Sequence, residues 1–241
     1  MRRDDKSLDH LRFEHISLPY CAKKGNCITQ MAYAKAVIIT PEMEYDTYPT
    51  FFQGEAQCVD ALFRNGLEYL HLRKPEADVR AYESFLEQVD SQYYPRIVLH
   101  DHFDLAEKYG LKVVHLNQRN PYPPQKWEGH ISRSCHSLEE VVAHKPQCDY
   151  LFLSPIFDSI SKQGYGPSLS ADMLRKAKEE GIIDDKVIAL GGMSVERLPL
   201  VRSWGFGGVA FLGDVWNPFI EEGIAHGVEH FVSLESAVEN D

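Results

Sequence analysis

Eight short apolar runs spread through about 200 residues constrain this chain more than anything else in it. They are Lys35–Thr40, Leu67–Leu72, Arg96–His100, Val113–Leu116, Ile131–Ser134, Tyr150–Leu153, Lys186–Leu190 and Gly207–Leu212. Each has the length of a strand, and β-branched residues recur in them. They read as continuous apolar segments, the pattern of parallel strands covered on both faces. Helical stretches stand between them: Gln53–Asn65, Asp78–Val89, a segment from Asp101 as its N-cap to Gly110, Ser137 to about His144, Ser170–Glu180, and one within Ser194–Trp204 with Pro199 near its start. Pro218–Leu234 reads as a last helical segment. Eight strand–helix units predict an α/β fold, a (β/α)8 TIM barrel forming a single domain over residues 34–241. An open doubly wound sheet is the alternative, and it is disfavoured because no G-x-G-x-x-G follows the first strand. Residues 1–33 lack this periodicity and read as a flexible extension, with Met31 a candidate start of translation.

The formal net charge of −11 argues against non-specific nucleic-acid binding, which needs a basic face. It equally disfavours adhesion to an anionic membrane. No apolar run reaches the roughly 18–20 residues of a membrane span. Met1-Arg2-Arg3 is followed by Asp4, Asp5 and Lys6, so no signal-peptide core is present. Five scattered cysteines without Cys-x-x-Cys fit reduced thiols and a cytoplasmic location. Cys135 is adjacent to His136, and a buried inert thiol is its simplest reading.

Within the barrel pattern, one junction stands out. Strand Ile131–Ser134 gives way almost at once to a helix whose start is marked by Ser137 and Glu140, a Ser-x-x-Glu capping box. His136 is therefore at the carboxyl end of a strand and just outside a helix N-terminus. Catalytic side chains of barrels gather at that end, and the helix dipole favours a neutral imidazole suited to proton transfer. A histidine merely hydrogen-bonded at a strand end is the plainer reading of the same pattern.

Two glycine turns, Gly191-Gly192 and Gly213-Asp214, follow the seventh and eighth strands, where barrels often bind phosphate through backbone N–H groups. Simple connecting turns are the alternative, and the Asp214 carboxylate would repel an anion. The long loop after strand six carries Ser159, Ser161 and Lys162, two hydroxyls and an ammonium within four residues, which suit an anion. His71 and Arg73 share one face of their strand, with Arg73 at its mouth. His100 and His102 at the end of the third strand and His115 in the fourth raise a metal-hydrolase alternative.

As a set, these residues resemble the thiamine phosphate synthase / TenI-like thiazole tautomerase family. The likeness runs from about residue 35 to 220. It rests on HLRK (His71–Lys74), HDHFDLA (His100–Ala106), VHLNQRN (Val114–Asn120), SRSCHSLEE (Ser132–Glu140), DYLFLSPIFDSISK (Asp149–Lys162), IALGGM (Ile188–Met193) and GFGGVAFLGD (Gly205–Asp214). The family's fold is a (β/α)8 barrel. The resemblance implies thiazole phosphate as the small-molecule partner, bound at Ser159, Ser161, Lys162, Gly192 and Gly213, with Arg73, Lys74 and Ser134 as further phosphate- or substrate-binding residues. For the tautomerase branch it implies His136 as proton shuttle and no cofactor, and this is the leading expectation. For the synthase branch, the alternative, it implies condensation of a pyrimidine pyrophosphate with thiazole phosphate, with Asp101 as a Mg2+ ligand. The synthase pattern departs here at His71-Leu72-Arg73-Lys74-Pro75, at His100, and at Gln118-Arg119-Asn120, where an amide replaces a metal-binding carboxylate. A catalytically silent phosphate-binding barrel is the third alternative, and a homo-oligomer is compatible with all of them.

Overall fold

The computed structural model describes residues 36–41, 51–157 and 169–239. Eight parallel strands close into one barrel in sequence order: β1 (Ala36–Ile39), β2 (Tyr69–Leu72), β3 (Ile97–Leu99), β4 (Val113–Leu116), β5 (His130–Cys135), β6 (Tyr150–Leu153), β7 (Val187–Leu190) and β8 (Gly208–Phe211). Closure is made by β1 on β8, with Val37 opposite Ala210. The eight expected strands are thus the eight found, each within a few residues of its expected ends. The expected extension over residues 1–33, with Met31, lies outside the described residues.

Helices cover the outside: α1 (Glu55–Arg64), α2 (Val79–Leu86), α3 (Asp104–Tyr109), α4 (Leu138–His144), α5 (Ala171–Glu179), α6 (Leu198–Ser203), α7 (Gly213–Glu221) and α8 (Ile224–Glu239). Among the described residues, no helix is long and apolar enough to cross a membrane. The period-two alternation of each strand sorts its side chains into two cores. One set packs outward against the helices, where Leu70, Leu72, Leu99, Val114, Leu151 and Leu153 are fully buried. The other fills the barrel, where Val37, Ile39, Val98, Val113, Tyr150, Phe152, Ile188 and Ala210 meet. That inner set is polar for a barrel interior, because His71, His115 and Ser132 are buried beside it.

The structure departs from expectation in two elements. The single helix expected over Pro218–Leu234 is two helices, the first beginning at Gly213. Glu222 caps α7, and Gly223 then takes φ +90°, which turns the chain before α8. The pair packs closely because Gly227 lies against the Phe219 ring; a Cβ on Gly227 would sit 2.3 Å from Phe219 Cγ. Asp101 does not cap α3, whose N-cap is Phe103 with no side-chain cap bond. The chain bends at His102, which takes φ 52° in the left-handed region that histidine tolerates better than most residues. The Asp101 carboxylate meets partners from the loop after β4 instead of the helix end.

Candidate active site

The barrel mouth at the carboxyl ends of the strands collects most of the expected residues. His136 follows β5 and is exposed. The Ser137 half of the capping box forms as expected, with Glu140 N–H donating to Ser137 Oγ at 3.2 Å, while the Glu140 carboxylate reaches one residue further back and its Oε2 accepts the His136 N–H at 2.7 Å. This clamps the His136 backbone. The imidazole Nδ1 is 3.1 Å from the Ser154 carbonyl, which can only accept, so Nδ1 carries the hydrogen and Nε2 is the atom left for a ligand. Ser154 begins the loop after β6, and that loop is stitched to the end of β7: Ile156 N–H donates to the Leu190 carbonyl and Phe157 N–H to that of Gly191. His136 and the first glycine corner therefore share one rim through a continuous backbone path.

The glycine corners differ from one another. Gly191 has φ +102°, and a Cβ there would lie 3.0 Å from Pro155 Cα, so both conformation and close approach call for glycine. The Gly192 carbonyl accepts from Arg197, whose guanidinium also lies over the Phe157 ring, 4.6 Å from its centroid. Gly213 is not a free turn but the first residue of α7, and a Cβ there would meet only Asn217, at 3.8 Å. Ser159, Ser161 and Lys162 lie outside the described residues.

On the opposite arc, β2 to β4 build a charged group. Asp101 accepts from Arg119 Nη2 at 3.1 and 3.2 Å and from Asn120 Nδ2 at 2.8 Å. Asn117 presents both partners: its Oδ1 accepts the Arg119 and Asn120 N–H groups in a local side-chain turn, while its Nδ2 donates to the His100 carbonyl. Arg73 belongs to the same group; burial and the neighbouring Arg119 charge push its pKa down, and Asp101 pulls it back up. Asp101 thus pairs with the Arg119 guanidinium, and the charge of Arg73 lies close enough to be felt by both. In the sequence, Arg119 and Asn120 stand out only as departures from a family pattern; the Asn-x-Arg-Asn spacing that turns them toward Asp101 is the signal that could have found them.

Asp101, the expected Mg2+ ligand of a synthase, has a donor set that does not fit a divalent ion. The carboxylate is already neutralised by a guanidinium, and its neighbour Asn120 brings an amide in place of a second anion.

Lys74 also departs from expectation. It is 1 % exposed, with its ammonium 2.9 Å from Glu55 Oε2 and 2.6 Å from the Pro41 carbonyl. Burial lifts the Glu55 pKa to about 7 and pushes that of Lys74 down. Lys74 is thus tied to α1 through Glu55. Cys135 is buried, and burial raises its pKa to about 12, which makes it an inert thiol.

Ser134 is half-buried at the mouth, where its Oγ is 2.8 Å from His115 Nε2. Below it, His71, His100 and His115 bring nitrogen atoms within 4.8 Å of one another, close enough to raise the metal-site alternative again. As arranged, these nitrogens bond one another and nearby hydroxyls. Burial, the largest cause in each, lowers all three pKa values, that of His115 to about 3, so the rings are neutral at ordinary pH.

A barrel with these motifs at its mouth has known relatives. The family model for thiamine monophosphate synthase (TMP-TENI) matches residues 38–215. A thiamine-phosphate synthase from Bacteroides thetaiotaomicron is 26% identical over 179 residues, 69% of this chain and 83% of that one. One from Yersinia pestis is 29% identical over 167 residues, 65% of this chain and 77% of that one. Among solved structures, a thiamine phosphate pyrophosphorylase from Bacteroides thetaiotaomicron is 40% identical with TM-score 0.75, covering 86% of this chain and 98% of that one. A thiamine phosphate pyrophosphorylase from Pyrococcus furiosus, 22% identical with TM-score 0.65 over 87% of this chain and 97% of that one, shares the fold. Matched across the barrel from the first strand to the start of α7, this chain belongs to the thiamine monophosphate synthase family of thiamin-synthesis enzymes.

Proposed function

We propose that this chain acts on thiazole phosphate and catalyses the thiamine-phosphate synthase reaction, joining a pyrimidine pyrophosphate to the thiazole with release of pyrophosphate. The observation that carries this reading is the likeness to a pyrophosphorylase, 40% identical over 86% of the chain. The mouth is consistent with it. Arg73 and Arg119 bring two guanidiniums to this part of the mouth, groups suited to a pyrophosphate that gathers negative charge as it leaves. In this reading the guanidinium of Arg119 takes the place of a divalent ion. Ser134 and the Gly191-Gly192 corner would hold the remaining polar groups of the substrates.

The test is pyrophosphate release from the two substrates together, with and without EDTA. Release at ordinary enzymic rates that EDTA leaves intact is expected, and Arg119→Ala should lower kcat/KM by roughly 10²-fold, as loss of a charge-stabilising donor does. Absence of release above the uncatalysed rate overturns the reading.

Two observations favour the tautomerase instead: Asp101 is engaged by Arg119, and His136 offers an accepting Nε2 on the same rim as the glycine corner. A tautomerase needs only such a positioned base, worth typically about 10²–10⁴-fold. His136→Ala separates the two. A loss of thiazole proton exchange of that size, with no pyrophosphate released by the unaltered protein, would select the tautomerase. If the unaltered protein showed neither activity, a phosphate-binding barrel would be left.

A further inference from the structure

Three successive carbonyls at the end of β7 are tied down. The Leu190 carbonyl accepts from Ile156 N–H at 2.9 Å, and that of Gly191 accepts from Phe157 N–H at 3.2 Å. The Gly192 carbonyl has a side-chain partner, the Arg197 guanidinium. Arg197 closes the short turn Val195–Arg197 that leads into α6, and its own N–H donates to the Ser194 carbonyl at 3.1 Å. Its guanidinium also covers the Phe157 ring. Phe157 in turn packs on Trp204, 5.8 Å between centroids, in the core between barrel and helices. Arg197 therefore holds the Gly192 carbonyl from the helix side of the corner.

The peptide joining Gly192 to Met193 is trans, since the cis bond among the described residues is Ser154–Pro155. In a planar trans peptide the N–H points opposite to the C=O. With the carbonyl turned toward the helices, the Met193 N–H is turned toward the mouth. Among the described residues, no backbone carbonyl accepts from the Gly192 or Met193 N–H. The two glycines do not keep this orientation by themselves. They lie at φ +102° and +62°, and a backbone without Cβ passes between conformations at little cost. A turned peptide would show the mouth an oxygen, and an anion there would meet repulsion instead of a donor.

We propose that Arg197 is a positioning residue of the glycine corner: by holding the Gly192 carbonyl outward, it aims the Met193 N–H at a bound phosphate monoester. It acts through the peptide and does not touch the ligand. A guanidinium suits the task, because it stays charged and its planar fork can hold a carbonyl and lie on an aromatic ring at once. That the monoester is thiazole phosphate rests on the proposed function; the aim of the Met193 N–H does not.

Inorganic phosphate is therefore the first probe, followed through the amide signals of the nitrogen-15-labelled full chain. In the unaltered protein the Met193 amide proton should move downfield as phosphate saturates the corner. Arg197→Met keeps an apolar chain beside the Phe157 ring and removes the donors. Phosphate should then bind about tenfold more weakly, the worth of one hydrogen bond, and the Met193 shift should be lost. Arg197→Lys, which keeps a donor, should recover part of both. In turnover, Arg197→Met should raise KM for thiazole phosphate about tenfold and leave kcat and the KM for pyrimidine pyrophosphate unchanged. A Met193 amide that ignores phosphate in the unaltered protein overturns the inference. So does Arg197→Met if it binds phosphate as tightly as before, or binds it weakly yet shows the full Met193 shift at saturation, since Arg197 would then act by charge alone. Pyrophosphate release without the Met193 response would leave the proposed reaction standing and this inference fallen. The Met193 response without pyrophosphate release would do the reverse.

Discussion

At the scale of single residues, charge and burial decide roles that residue type leaves open. Lys74 and Arg73 are neighbours in sequence, yet successive side chains of an extended segment point to opposite sides, one to Glu55 and the other to the mouth. The Lys74–Glu55 pair is dry at 1 % exposure on both sides, so removing one partner strands the other charge. Lys74→Met is expected to cost about 3 kcal/mol of unfolding free energy while leaving KM for the thiazole substrate unchanged. Urea titration and steady-state kinetics check the two halves; a raised KM with normal stability would restore Lys74 to the substrate site. Arg73 and Lys74 have the same charge in the sequence, and only the direction of each side chain separates them.

At the scale of elements, local chemistry is legible where the signal is local. The Ser137 cap lies within four residues of Glu140 and forms as expected, and the Glu140 carboxylate holds the His136 N–H as well. The start of α3 is not legible in this way, because Asp101 has a stronger partner than a helix end: a guanidinium eighteen residues on, which no window around Asp101 contains. The break between α7 and α8 has a local signal, Gly223 at φ +90° behind the Glu222 cap, but the close approach of the two helices depends on packing. A Cβ on Gly227 would stand 2.3 Å from the Phe219 ring, so the two helices approach this closely only with glycine there. Gly227→Ala should destabilise the fold by about 1–3 kcal/mol, the usual penalty of overpacking. It is measured as a lowered urea midpoint with an unchanged slope; an unaltered midpoint would mean the helices part without cost.

For the whole molecule, the buried imidazoles make stability depend on acid. Their folded pKa values lie below the ordinary 6.5, so the unfolded chain takes up protons below about pH 6.5 that the folded barrel does not, and stability is lost as pH falls. Glu55 acts the other way: its pKa is raised from 4.5 to about 7, so the folded protein holds a proton that the unfolded chain releases, and stability is gained as pH falls across that window. Three groups act in one direction and one in the other, so the net expectation is a loss of stability as pH falls from 7 to 5. Urea midpoints at pH 7 and pH 5 test this. A flat profile would show that the imidazoles are not held neutral inside the barrel.

The amino-acid order alone determined the eight units and hence the closed barrel, the rim where His136 stands, and the family likeness. Those are carried by periodicity and by short motifs, whose meaning lies within a few residues of each other. Tertiary structure alone decided that Arg119 neutralises Asp101, that Lys74 is paired with Glu55, and that His71, His100 and His115 meet inside the barrel. Each of these depends on distance between strands in space. A hydrogen bond or an ion pair is won or lost within an ångström, and a sequence records separation along the chain but not across it.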